Sequence, residues 1–473
     1  CASCNDANPL FRCVECFNAP LWCRRCIVHA HQRTPFHHIE KWDGKVFVRA
    51  SLVKPQKPKK EKKRKGKGKA ADTEKQGNPN VREFTIVDHN RFHIRQIQFC
   101  KCTRDDIYER QQLLVVRLFP ATWKRPKTAF TFTVMKQFHI HSLTSKKSVY
   151  DYVGALCKLT DNVHPQSVTD RYREFLFACR LWRFLALQRR SGQAHNIDVF
   201  VPHRRPGSLT IRCPACPEVG FNISEETMRE VLEQDRCGIT LFVSVDGNFK
   251  MQRKNKRDDP NDFALNDGNG YFVETEDYKR YIKVAQPVEN LGTCSHLRAS
   301  RMQNMAKFKN AVVTGVVALQ CARHGMYLPQ GMVDLAKGEA FACTDYAIVF
   351  ALAEAVLQRW IRLTYNIWCQ YGIKLLGQVD KLFPSMLSII KKIHGTIPKM
   401  LILNHIERCQ LQFNLNWLCY CAFTVGEMIE TGWAVHNLAA GSTEEMNAGH
   451  RHESQLELGE DDWYRCNSSE GPV

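Results

Sequence analysis

Three Cys-x-x-Cys pairs open the chain, Cys1/Cys4, Cys13/Cys16 and Cys23/Cys26, and His31 and His37 follow. A tetrahedral zinc is saturated by four such soft or borderline donors, so these eight residues read as two closed zinc sites. The rival reading is a disulfide framework. It is disfavoured by the Lys-rich tract that follows, which suits a nuclear protein better than a secreted one, and no signal-peptide pattern opens the chain. So short a segment cannot bury an adequate core, and metal binding would supply its folding energy.

In the cross-braced arrangement of B-box and RING-like modules, alternate pairs share a metal. That puts Cys1, Cys4, Cys23 and Cys26 on one zinc and Cys13, Cys16, His31 and His37 on the other. His29 and His38 compete for the second site. Closed sites of this kind do no chemistry, because no coordination position stays open.

With 473 residues the chain has room for two to four domains, and 44% hydrophobic content allows a sizeable core. No run of eighteen apolar residues occurs, so no membrane span is expected. The net charge of +19 favours a polyanionic partner, nucleic acid first. About half of that charge lies in Lys54 to Lys69, which holds ten Lys or Arg against Glu61 alone. This tract reads as a disordered linker, either a plain solvated spacer or a nuclear-targeting and phosphate-tracking tether. The chain opens on Cys1 with no Met before it, which suggests a piece of a longer protein.

The expected organisation is a double zinc module at 1–52, the basic linker at 53–79, a cysteine-cluster region at 80–235, an α/β domain at 236–450 and a solvated acidic tail at 451–473. Residues 84–88 and 93–99 alternate like strands, and 170–190 have helical spacing. Cys100, Cys102, Cys213 and Cys216 form one candidate zinc set, with unrelated buried thiols as the alternative. Cys294, His296, Cys321 and His324 form another. His405 and Cys409 stand one helical turn apart, and core packing is the simpler account of them.

Residues 239–245 are a nearly continuous run of strand formers ending at Asp246-Gly247-Asn248, as in a strand buried on both faces. Residues 312–320 and 361–365 read as further strands, the latter ending at Asn366. Residues 345–359, 386–393 and 411–430 read as helical. Strands alternating with helices predict an α/β domain with a mixed sheet. A carboxylate at the carboxyl end of a central strand is a usual metal-ligand position, although Asp-Gly is also a turn dipeptide.

Five segments together resemble one known family: SVDGNFKMQRKNKRDDPNDFALNDGNGYF (244–272), Cys294-Ser295-His296, QCARHGMYLPQGMVDLAKGEAF (320–341), LTYNIWCQY (363–371) and VGEMIETGW (425–433). In this order they resemble the Kyakuja-Dileera-Zisupton (KDZ) transposases of fungal DNA transposons. FCKC (99–102), FPATWKRPKTAFTF (119–132) and CPACPEVGFNI (213–223) resemble the CxC2-type cysteine cluster that accompanies them. The resemblance implies a ribonuclease-H-like mixed sheet with a DDE triad, which cuts and joins DNA by two-metal phosphoryl transfer with Mg²⁺ or Mn²⁺. It also implies a nuclear protein whose partners are transposon ends and target DNA. Transposases commonly act as dimers or larger, so a homo-oligomer is the matching expectation.

Carried over residue by residue, Asp246 is the first acid and Glu427 the third, with Glu430 one turn away as the alternative. The second position departs from the pattern, because Asn366 stands where the family has Asp. A neutral amide is a poor bridge between dications. Leu401, where a His is more usual, is a second departure. Two readings follow: a working transposase, or a catalytically inactive zinc-dependent protein that binds DNA or another protein.

Overall fold

The computed structural model describes residues 1–4, 6, 8–50, 81–100, 108–256, 259, 262–285, 294, 310–335, 341–421 and 423–467, with side chains to 461. The linker at 53–79, Cys102 and His296 lie outside the described residues. The chain divides into two compact units, one formed by Cys1–Val134 and Ala155–Thr169, the other by Met135–Gly154 and Asp170–Val473.

The first unit begins with an antiparallel meander of β1 (Phe11–Cys13), β2 (Ile39–Trp42) and β3 (Phe47–Arg49), with a short helix at Arg24–Ala30. Its buried apolar core is only Phe11, Cys13, Ile27 and Ile39. So small a core cannot offset the conformational entropy of ordering some fifty residues, at roughly 1–2 kcal/mol each for the backbone alone. A second sheet follows, in the order β5–β4–β7–β6, from β4 (Val81–Val87), β5 (Phe92–Gln98), β6 (Leu118–Pro120) and β7 (Thr128–Thr131). Phe84 and Ile86, two apart on β4, point into one core with Phe99, Leu113, Leu118 and Ala129.

The second unit is built on a five-stranded mixed sheet. Its central strand is β8 (Leu241–Asn248), the apolar run foreseen from the sequence. A short ribbon pairs β9 (Arg253–Lys254) with β10 (Ala311–Val313). Then come β11 (Gly315–Cys321), β12 (Tyr327–Leu335), β13 (Ile361–Tyr365) and β14 (Ile393–Thr396). The sheet order is β12–β11–β8–β13–β14. β11 runs antiparallel to β8 and to β12, whereas β13 runs parallel to β8 and to β14.

Side chains alternate between two covered faces. Val243, Val245, Val317, Leu319, Leu363 and Tyr365 pack with the helix Phe341–Ala351 and the helix Trp368–Leu382. Val316 and Ala318 face the other way, into a core with Ile429, Trp433 and Leu456 from the helices Met428–Leu438 and Ala448–Asn467. By the same alternation Ser244, Asp246 and Asn248 face the Met428–Leu438 helix, and Asn248 Nδ2 donates to Asn437 Oδ1 at 2.9 Å.

Three helix expectations need correction. The helix expected at 345–359 spans Phe341–Ala351, and the one expected at 386–393 is a single turn, Leu387–Ile390, because Ile393 already belongs to β14. The stretch 411–430 is not one helix. It breaks between Glu407–Phe413 and Met428–Leu438, with left-handed backbone at Tyr420 (φ 63°) and Gly426 (φ 88°).

The acidic stretch 453–460 is not solvated. It belongs to the 448–467 helix, and Glu453, Glu457 and Glu460 are buried. Arg180 donates to Glu453 at 2.8 Å, and Arg190 lies 2.6 Å from Glu457 and 3.3 Å from Glu460. These guanidiniums come from Tyr172–Arg190, more than 260 residues earlier, so local charge patterning misses the pairing. No described helix is long and apolar enough to cross a membrane.

Asp345 is 1% exposed, and burial pushes its carboxyl up to about 7 against the lowering effect of the Tyr371 hydroxyl, which donates to it at 2.6 Å. A raised acid pKa contributes stability that is full below the unfolded value of about 3.9 and is lost as pH rises through the folded value. Urea unfolding of the parent should therefore weaken between pH 5.5 and 8, and Asp345→Asn should remove about 2 kcal/mol of that dependence. Equal pH slopes for the two proteins would refute a buried, titrating Asp345.

Candidate functional site

Four side-chain clusters of Cys and His occur among the described residues, each with all its donor atoms within 4.8 Å of one another. With Zn–S near 2.3 Å and Zn–N near 2.0–2.1 Å, a tetrahedral site has S–S edges of about 3.8 Å and S–N edges of about 3.5 Å. A disulfide would need about 2.05 Å. The observed sulfur–nitrogen separations of 3.3–3.4 Å and the 3.8 Å between Cys4 and Cys23 are close to the metal edges, and Cys216 and Cys321, 3.2 Å apart, are closer than a metal edge but far from bonded.

The first cluster is Cys1, Cys4, Cys23 and Cys26, with Cys4 Sγ and Cys23 Sγ 3.8 Å apart. The second is Cys13, Cys16, His31 and His37. Cys13 Sγ lies 3.3 Å from His37 Nδ1, and Cys16 Sγ lies 3.3 Å from His31 Nε2. The interleaved pairing expected from the spacing is the one the fold assembles. His31 Nδ1 faces the carbonyl of Ile27 at 2.9 Å, a contact that fixes the ring with Nε2 toward the sulfurs. Of the competing rings, His29 is exposed, and the His38 backbone N–H donates to Glu15. Burial pushes the Cys13 thiol up to about 12, so a cation bound here must displace its proton.

The third cluster corrects two expectations at once. Cys213 and Cys216 meet Cys321 and His324 rather than Cys100 and Cys102. Cys213 Sγ is 3.3 Å from His324 Nδ1, and Cys321 Sγ is 3.4 Å from it. Hydrogen bonds from the Cys213 and Cys216 thiols hold the Cys321 thiol pKa down. Correspondingly, Cys321 and His324 are not partnered with Cys294. Cys294 lies in the fourth cluster, with Cys369, His405 and Cys409, all four buried. Pairings between distant segments are invisible to spacing, which is why sequence reasoning drew the wrong sets.

A different site lies where β8 and β13 end side by side. Their parallel register pairs Tyr365 with Val245, so the next residues, Asn366 and Asp246, are neighbours. Asn366 Nδ2 donates to Asp246 Oδ1 at 3.2 Å. Asn366 Oδ1 is buried and has no hydrogen-bond partner among the described residues.

Glu427 precedes the Met428–Leu438 helix on the same face. Gly426 before it has a φ of +88°, and a Cβ there would lie 2.6 Å from Thr364 of β13, so the loop is pressed against the strand end and needs glycine. One Glu427 oxygen accepts the Met400 N–H at 2.6 Å, and the other is buried without a partner. Burial raises the Glu427 pKa. Glu430, the alternative, is exposed. The orphaned Asn366 oxygen next to Asp246, and the orphaned Glu427 oxygen from the loop pressed on the end of β13, are hard oxygen donors of the type that Mg²⁺ or Mn²⁺ takes.

Residues 239–457 match the family described as Kyakuja-Dileera-Zisupton transposase. Residues 67–164 match the CxC2 like cysteine cluster associated with KDZ transposases. The chain carries a KDZ transposase domain. No curated protein and no solved structure matches it.

Asp246, Asn366, Glu427 and the whole fourth cluster fall inside the KDZ match, and Cys100 and Cys102 fall inside the CxC2 match. Cys213 and Cys216, expected to belong to the cysteine-cluster region, lie between the two matches, so the third cluster ties a connecting segment to the end of β11 in the KDZ domain. Sequence reading passed over Cys369 and set His405 and Cys409 aside as packing. The available signal was a Cys one helical turn from a His. Leu401 packs beside Cys294, Cys369, Ile397, Ile402 and Cys409, in a wall of the fourth cluster.

Cys321→Ser should lower the bound zinc of purified protein by one equivalent per chain, whereas Cys100→Ser should leave the occupancy of the Cys213 and Cys216 site unchanged. Metal content by plasma mass spectrometry checks this. The reverse result would restore the pairing expected from sequence.

Proposed function

We propose that this chain is a transposase-derived DNA-binding protein whose KDZ domain keeps a ribonuclease-H-like acidic site that Asn366 disables for cutting. The sheet order β12–β11–β8–β13–β14, antiparallel through β8 and parallel after it, supports the ribonuclease-H-like reading. The carrying observation is the Asn366 amide donating to Asp246 at 3.2 Å. An amide N–H there satisfies the first acid by hydrogen bonding, where a second carboxylate would add negative charge.

In this reading Asp246, Glu427 and the oxygen of Asn366 are the residues that would hold Mg²⁺ or Mn²⁺. Such ions, when bound, activate a water or 3′-hydroxyl and stabilise the leaving oxygen of a phosphodiester. Asp246 contributes a charge at the central strand end. Glu427 contributes a partly buried carboxylate held by the Met400 N–H. Asn366 contributes one neutral oxygen. A missing formal charge in such a site weakens transition-state stabilisation by several kcal/mol, at about 1.4 kcal/mol per decade of rate.

DNA binding is assigned to the basic surface rather than to the acidic site. The net charge of +19 and the Lys54 to Lys69 tract supply phosphate contacts. The Cys/His clusters, read as structural zinc sites, would hold the modules that present them. A DNA partner and the basic tract together put the site of action in the nucleus. The N-terminal cross-brace serves either DNA or a protein partner, and deletion of residues 1–50 separates the two by its effect on DNA affinity.

Two outcomes test the reading. Mn²⁺-dependent nicking should be at or near background in the parent and rise by at least about 100-fold in Asn366→Asp, a gain that Asp246→Ala abolishes. Equal, strong nicking by parent and Asn366→Asp would show that the neutral ligand does not disable the site. Separately, duplex DNA affinity, measured by fluorescence anisotropy with a chelator of Mg²⁺ present, should fall by at least about 10-fold between 50 and 200 mM salt. Affinity insensitive to salt would sink the phosphate-contact account.

A further inference from the structure

The fourth cluster differs from the others in its surroundings. Cys294, Cys369, His405 and Cys409 are 3%, 7%, 1% and 6% exposed, walled by Ile397, Ile402 and the Trp368 ring. His405 Nδ1 lies 3.4 Å from Cys369 Sγ and 3.7 Å from Cys294 Sγ, the spacing of tetrahedral edges about one ion. Four polar donors converging in an apolar wall, all more than nine-tenths buried, have no packing purpose that four apolar side chains would not serve better.

The cluster also touches the acidic site through the main chain. Cys369 is three residues past Asn366, in the first turn of the Trp368–Leu382 helix. The other ring nitrogen, His405 Nε2, is buried and has no hydrogen-bond partner among the described residues. Trp368, between them, lies over β14 so closely that a Cβ on Gly395 would meet its ring at 1.5 Å. The turn from β13 into the helix is therefore held on one side by Gly395 and on the other by the cluster.

We infer that Cys294, Cys369, His405 and Cys409 bind a buried structural zinc that clamps the turn after β13 and so positions the side chain at 366 against Asp246. The zinc site stands on its own observations; the importance of position 366 rests on the acidic-site reading above. Cys369 and His405 are positioning residues, since they act on position 366 through the backbone.

The test uses full-length protein as parent, Cys409→Ser and Cys409→His, with no activity assay. Zinc content, the ligand-field absorption of the cobalt-substituted protein, and amide hydrogen exchange are read on each. Cys409→Ser should lose one zinc equivalent and the tetrahedral thiolate bands of one site. Peptides covering 365–371 should exchange at least 10-fold faster, with β11 still protected. Cys409→His, which keeps four donors, should retain the metal and the parent exchange.

Unchanged metal content in Cys409→Ser would overturn the site. Loss of metal with unaltered exchange at 365–371 would overturn the positioning role. If Cys409→Ser loses β11 protection as well, Cys409→His decides, and its failure to hold metal would overturn the site. Failure of Asn366→Asp to nick DNA, with these exchange results intact, would count against the acidic-site reading alone.

Discussion

The parallel pairing of β13 with β8 is the contact on which the second unit turns. It is the point where an antiparallel half-sheet becomes a parallel one, and its register sets Tyr365 beside Val245. Two consequences follow from one set of ladder hydrogen bonds. Val243, Val245, Leu363 and Tyr365 are committed to one core. Ser244, Asp246, Thr364 and Asn366 are committed to the face where the Met428–Leu438 helix brings Glu427. A one-residue slip would send every one of these side chains to the wrong face, so the cores on both sides hold the polar site in register.

Close backbone approach reinforces this arrangement. Gly395 leaves room for Trp368, and Gly426 lets the loop before Glu427 lie on Thr364. Both glycines sit at the carboxyl end of the parallel half of the sheet, so the packing that seats the helices also seats the candidate ligands. Electrostatics complete the packing of the 448–467 helix. Arg180 pairs with buried Glu453 and Arg190 with buried Glu457, burial pushes the Glu460 carboxyl up to about 8, and the Arg451 side chain, fully buried, donates to Asp334 at 2.6 Å. Buried acids of this kind are tolerable only when paired, which makes the arginines of the Tyr172–Arg190 helix a structural requirement of the terminal helix.

Cys/His clusters that could hold a metal stand where apolar burial is small or where two segments meet. The N-terminal meander has four buried apolar side chains and two clusters. The third cluster joins the 213–216 segment to the end of β11, and the fourth joins Cys294 to the segments after β13 and β14. This accounts for a large share of the 21 cysteines in the sequence.

What the sequence by itself determined was local. Ligand type and spacing within residues 1–37 were enough for the interleaved cross-brace, because both halves of each set lie within a few turns of chain. The apolar run of β8, the strand ending at Asn366 and the 172–190 helix were legible from periodicity, and the KDZ and CxC2 motifs were legible as motifs. Tertiary structure decided everything that joins distant segments: the partners of Cys213 and Cys294, the recruitment of Cys369, His405 and Cys409, the burial of the acidic helix, and the contact of Asn366 with Asp246. The reason is physical. A spacing rule reports only donors close along the chain, whereas a tetrahedral site or a buried ion pair is satisfied by donors close in space. That proximity is set by strand register and core packing, which no short window of sequence contains.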